Sequence, residues 1–152
     1  MADVETLTRV LAEAGARDDA IAGVLRTAAN AWLVRFEDVD VEIEYDSAGD
    51  RLVFASVIGP VPQQKREEIL EALLAYSFLA RETGGVHMAM TAPGGEAVQM
   101  AAVPGEGAGV DRLVTVVTNM AENTRIWRAM FASAMGLGAA EPVDVPGMMI
   151  RI

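Results

Sequence analysis

The chain has 152 residues, 52% apolar and 22% charged, with 22 acidic against 12 basic side chains and a formal net charge of −10. This composition describes one acidic globular domain able to bury a core, and excludes both disorder and the basic surface of a nucleic-acid binder. With no cysteine and a single histidine, His87, the chain has no disulfide framework, thiolate nucleophile, cysteine metal site or histidine cluster.

Apolar positions Val4, Leu7, Leu11 and Ala14 recur at helical spacing, and Gly15 is placed to end that helix. Asp18 and Asp19 offer an N-cap to a second short run with Ile21, Val24, Leu25 and Ala28 on one side, which predicts a helical link over residues 16–30. At Ala31 the period drops to two. Trp32, Val34 and Phe36, then Val39, Val41, Ile43 and Tyr45, alternate with polar or outward positions. Such alternation predicts half-buried antiparallel strands. Ser47-Ala48-Gly49-Asp50 supplies a hairpin turn, and Arg51 to Ile58 returns as a third strand that Gly59-Pro60-Val61-Pro62 ends.

Gln63 to Glu82 predicts a second helix whose first turns are charged while Ala72 to Ala80 carries no charge. A helix apolar all round must be covered all round. One sheet covers only one side of Leu73, Leu74, Tyr76, Phe78 and Leu79, so a second copy of the chain is the economical cover for the other. Thr83-Gly84-Gly85 breaks the helix, and Val86 to Thr91 and Glu96 to Val103 form a hairpin around Ala92-Pro93-Gly94-Gly95. After a glycine-rich connector, Asp111 is placed to cap a last helix carrying Leu113, Val117, Met120, Thr124, Trp127, Phe131 and Ala134. Residues 1–135 thus read as a single domain, and residues 136–152 as an extension that docks weakly or pairs with a neighbour.

Residue chemistry offers little to an enzyme. The four serines Ser47, Ser56, Ser77 and Ser133 stand in no Gly-x-Ser-x-Gly frame, and Lys65, the one lysine, follows no phosphate loop. His87 in a strand reads as a surface or interface residue. Asp40, Glu42, Glu44 and Asp46 share a strand face, but at about 6.5 Å spacing they cannot close around one ion without a neighbouring strand, so they read as a solvated acidic face. The expectation is a protein with no catalytic, metal or cofactor site. The acidic opening and the lack of an apolar run near the roughly 20 residues that span a bilayer lead to an expected soluble, cytoplasmic location without membrane or nucleic-acid partners.

The predicted order resembles the class I type III secretion chaperones, the Tir chaperone (CesT) family. Carrying the resemblance are Asp50-Arg51-Leu52-Val53-Phe54-Ala55-Ser56-Val57-Ile58-Gly59, Leu73-Leu74 through Leu79 with Thr83-Gly84-Gly85, Met88-Ala89-Met90, Gly95-Glu96-Ala97-Val98, Leu113, and Glu122 to Arg128. Ser77 stands where an asparagine is common in the family. The resemblance implies an α+β fold, α-β-β-β-α-β-β-α, with an antiparallel sheet packed with helices. It also implies a homodimer joined through the second helix and its neighbouring strand, for which Leu73, Leu74, Tyr76, Phe78, Met88 and Met90 are the candidates.

The implied function is binding without catalysis, in which the N-terminal chaperone-binding segment of a secreted effector is held extended and export-competent in the cytosol. Candidate partner-binding residues are Leu7, Val10, Leu11, Trp32, Val34, Phe36, Val41 and Ile43, most of which read more simply as core, because an alternating strand must point one face inward. A regulatory or sensory protein-binding module of the YbjN family is similar in element order and is the alternative, with a small ligand-binding domain as a further one.

Overall fold

The computed structural model describes residues 1–136. Helix α1 (Val4–Arg17) starts where the Asp3 side chain accepts from Thr6 N, and its buried stripe is Leu7, Leu11 and Ala14. Gly15 does not end it. The helix runs one half-turn further, and Gly15 lies inside it against the neighbouring strand.

The link expected to be helical is instead strand β1 (Gly23–Ala28), an addition to the predicted order. Asp18 is used differently from an N-cap: its backbone and side-chain oxygens accept from Ile21 N and Ala20 N, which turns the chain back beneath α1. Val24 then pairs with Val34 and Leu25 with Leu33 of β2 (Ala31–Arg35). Local periodicity favoured a helix here, but six residues are too few to decide it against the pairing that an adjacent strand offers.

Strands β3 (Asp40–Asp46) and β4 (Arg51–Pro60) follow as expected, with Asp46 accepting from Ala48 N and Gly49 N in the turn between them. Helix α2 (Arg66–Phe78) is shorter than its predicted span. Strands β5 (His87–Met90) and β6 (Glu96–Pro104) form the second hairpin, and α3 (Val110–Ala134) closes the described chain. Gly109, not Asp111, is the N-cap of α3; Asp111 sits in the first turn, where the helix dipole favours an acid, and pairs with Arg17. Apart from Gly136, the expected extension lies outside the described residues.

All six strands form one antiparallel sheet in the order β1-β2-β3-β4-β6-β5. The registers Trp32↔Ile43, Ile43↔Phe54 and Phe54↔Ala101 put the apolar half of each strand on one face. Helices α1 and α3 pack on that face and on each other, and α2 lies beside β5. Leu52, Phe54, Leu113, Met120 and Trp127 form the centre of the core, each fully buried. The architecture is α+β, three helices and an antiparallel sheet, with one strand more than the sequence indicated.

Candidate functional site

Polar residues occupy core-facing positions between the sheet and α3. Ser56 and Gln99 oppose each other on β4 and β6, and both are buried with Asn123 and Thr124 of α3. Thr124 Oγ1 donates to Ser56 Oγ at 3.0 Å, while Gln99 Nε2 donates to Met120 O at 3.0 Å and to Thr124 Oγ1 at 3.2 Å. Asn123 Nδ2 bridges Gln99 Oε1 and, at 3.1 Å, the Tyr76 hydroxyl of α2. Burial pushes the Tyr76 phenol up from its ordinary pKa, so the group is neutral. This chain of bonds joins sheet, α3 and α2, and Ser56 Oγ carries it on to Asp40 O at 3.1 Å. Its sequence signal was available, since Ser56 and Gln99 fall at the apolar parity of their strands.

At one end of the sheet, Arg128 clamps the turn between β2 and β3 onto β4, donating to Asp38 O at 2.6 Å, Val57 O at 2.8 Å and Ile58 O at 3.0 Å. Beside it Arg125 pairs with the Asp38 carboxylate at 2.9 Å, which holds that carboxyl below its usual pKa, and lies 5.9 Å over the Phe36 ring. Among the described residues no group of three or more histidine, aspartate or glutamate side chains is placed to hold a metal ion. No described helix is long and apolar enough to cross a membrane.

The partner-binding candidates divide sharply by burial. Leu7, Leu11, Trp32, Val34, Phe36, Val41 and Ile43 are each at most 3% exposed and belong to the protomer core, under α1 and α3. Trp32 Nε1 even donates to Thr8 Oγ1 of α1 at 3.2 Å. The alternation that made them candidates points them inward in the protomer, whereas Val10, half-buried, packs at the margin of the core. What the same strands leave open is the outer edge of β1 and the opposite face of the sheet. Among the described residues strand β1 pairs only with β2, and its residues Leu25 to Ala28 are exposed.

The interface candidates split as well. Leu73 and Tyr76 are buried within the protomer, whereas Leu74 and Phe78 are 71% and 88% exposed. Spaced at i, i+4 and i+8, Leu70, Leu74 and Phe78 form an apolar stripe along α2. It borders a concavity of about 270 Å³ lined by Leu70, Leu73, Leu74, Met88, Ala89 and Met90. Ser77 ties this helix to the strand edge, accepting from Met88 N at 2.8 Å and donating to Leu73 O at 3.0 Å. One backbone donor on the β5 edge is thereby occupied, which blunts that edge against strand addition.

Three solved structures of similar fold are complexes. The chain is similar to a crystal structure of the ExsC-ExsE complex, with a TM-score of 0.65 and 16% identity over 86% of this chain and 97% of that one. The HopA1-SchA chaperone-effector complex gives 0.63 and 17%, covering 84% and 98%. The Yersinia pestis type III secretion chaperone SycH in complex with a stable fragment of YscM2 gives 0.54 and 14%, covering 76% and 94%. At such identities the likeness is one of fold. No curated protein sequence matches significantly. Residues 23–128, from β1 to the Arg128 clamp, match the family model of the Tir chaperone protein (CesT) family. The chain belongs to the Tir chaperone protein (CesT) family.

Proposed function

We propose that this protein is a cytosolic, non-catalytic secretion chaperone that binds the N-terminal segment of a secreted effector in extended form and keeps it competent for export. The observation that carries this reading is the open β1 edge within the stretch that matches the family. An extended client adding a strand there gains backbone hydrogen bonds, and burial of its apolar side chains offsets the entropy of ordering it. The solved structures of similar fold, one a chaperone-effector complex and one a type III secretion chaperone with a bound protein fragment, support the same reading.

The working unit is a homodimer joined through α2 and β5. An apolar stripe with Phe78 88% exposed and Leu74 71% exposed is costly to leave in water. Residues 1–135 act as the folded domain, with 136–152 as an appendage to it. Affinity purification of the tagged chain from its native cells, followed by truncation of the stoichiometric partner, tests the function. The reading expects one secreted protein whose N-terminal segment suffices for binding. Recovery of a folded regulator bound through its globular part would instead favour the YbjN-like alternative.

A further inference from the structure

The face of the sheet turned away from the helices has its own pattern. On β3, Glu42 and Glu44 point outward side by side and exposed. Their cross-strand neighbours are apolar on both sides: Leu33 and then Leu25 beyond Glu42, and Ala55 and then Met100 in the other direction, with Val53 opposite Glu44. Leu25 is 50% and Val57 37% exposed. An acidic ridge thus runs between two apolar strips. Asp40 and Asp46, at the ends of the same strand, are paired with Arg35 and Arg51. No basic side chain among the described residues bridges Glu42 or Glu44.

Resting on the chaperone reading above, we propose that this open face seats a basic stretch of the client, two cationic side chains placed over Glu42 and Glu44 and apolar side chains on the flanking strips. An extended segment repeats its side chains on one face about every 6.5 Å, the spacing of adjacent outward residues on β3. Lysine and arginine suit the ridge for a second reason: their methylene stems cover apolar surface such as Val53 and Ala55 while the charged head reaches the carboxylates. Charge complementarity separates this occupant from a second copy of the chain. Two copies meeting through this face would bring acidic ridges together on a protein of net charge −10, where Arg35 and Arg51 of this face are already paired with Asp40 and Asp46.

The test uses the whole chain and two fluorescein-labelled peptides with the same apolar residues, one with lysines at two alternate positions and one with glutamates there. Anisotropy titrations on the wild type, on E42Q/E44Q and on E67Q/E68Q, which removes the same charge from the exposed first turn of α2, read affinity. Amide shifts in the ¹H–¹⁵N spectrum read location. Only the lysine peptide is expected to bind, with shifts at Val53, Val57 and Met100. E42Q/E44Q is expected to weaken it about tenfold, and E67Q/E68Q less than about twofold.

Equal binding of both peptides, equal loss in the two double variants, or no shifts on this face would overturn the proposal; the last outcome would leave the face to a second copy or to residues 137–152. If the client's N-terminal segment binds with wild-type affinity to E42Q/E44Q and shifts only α1 and β1, this inference fails and the chaperone reading stands. If no N-terminal segment binds at all, the chaperone reading fails.

Discussion

Gly15 of α1 lies so close to Val24 of β1 that a Cβ on the glycine would stand 2.6 Å from Val24 Cγ2. Alanine in place of glycine inside a helix ordinarily stabilises by about 0.5–1 kcal/mol. Here the contact reverses the sign. G15A is expected to lower stability by about 1–2 kcal/mol, because a β-branched neighbour has little freedom to retreat. The same substitution made in a V24A background should be neutral or stabilising. Urea unfolding of the four members of this cycle checks the packing of α1 on the strand that the sequence did not announce.

The buried bridge between Gln99, Asn123 and Tyr76 should be unforgiving. N123A leaves the Gln99 carbonyl and the Tyr76 hydroxyl short of a partner in the core, and is expected to cost about 2–4 kcal/mol. Y76F removes one acceptor from a site that retains its aromatic contact with Trp127 at 5.6 Å, and is expected to cost about 1 kcal/mol. Denaturant midpoints at a constant m-value distinguish these outcomes. A cost of N123A no larger than that of Y76F would mean that the amide is not the hub of the network.

Dimer disruption is best sought at Leu74 and Phe78. A charge at Leu73, 4% exposed, would damage the protomer itself, whereas Phe78 is 88% exposed and its replacement leaves the core untouched. F78E and L74E/F78E should run as folded monomers in light scattering at concentrations where the wild type is a dimer, with circular dichroism unchanged. A dimer that persists in L74E/F78E would remove the α2 seam.

Acid should weaken the fold through four carboxylates. Asp3, which caps α1 and is hydrogen-bonded by Thr6, has a pKa below the ordinary one. Asp38, hydrogen-bonded by Arg125, Asp46, hydrogen-bonded by Arg51, and Asp50, hydrogen-bonded by Ala2 N and Tyr45, all have pKa values below the ordinary one. A depressed folded pKa contributes stability above the unfolded value, near pH 4, and that contribution is lost as pH falls through the folded value. Thermal midpoints should therefore be level from about pH 5 to 7 and fall below about pH 4. D38N should make the acid limb shallower; an unchanged limb would mean that Asp38 contributes nothing to it.

Much of the fold was legible because the signals were long. Alternation from Trp32 to Ile58 spans three strands, and the fours and threes from Leu113 to Phe131 outweigh the β-branched run at Val114 to Thr118. Residues 23–28 are illegible as a strand because six positions sample too little of either period, and only pairing with β2 decides between them. The site was less legible for a related reason. Period two separates the faces of a strand without saying which one lies under helices, so alternation alone leaves groove and core both open for Trp32, Val34, Val41 and Ile43, and the packing of α1 and α3 makes them core. On α2 the absence of charge indicated a covered surface, but the division between inward Leu73 and Tyr76 and outward Leu74 and Phe78 depends on how the helix is rotated against α3.

The central claim is that the client is held through an extended N-terminal segment. Its most direct test is a pair of calorimetric titrations of this protein, one with the isolated N-terminal segment of its co-purifying partner and one with the remaining folded part. The account predicts that the segment alone retains the affinity of the intact partner and that the folded part does not bind. Binding carried by the folded part, with none by the segment, would contradict it.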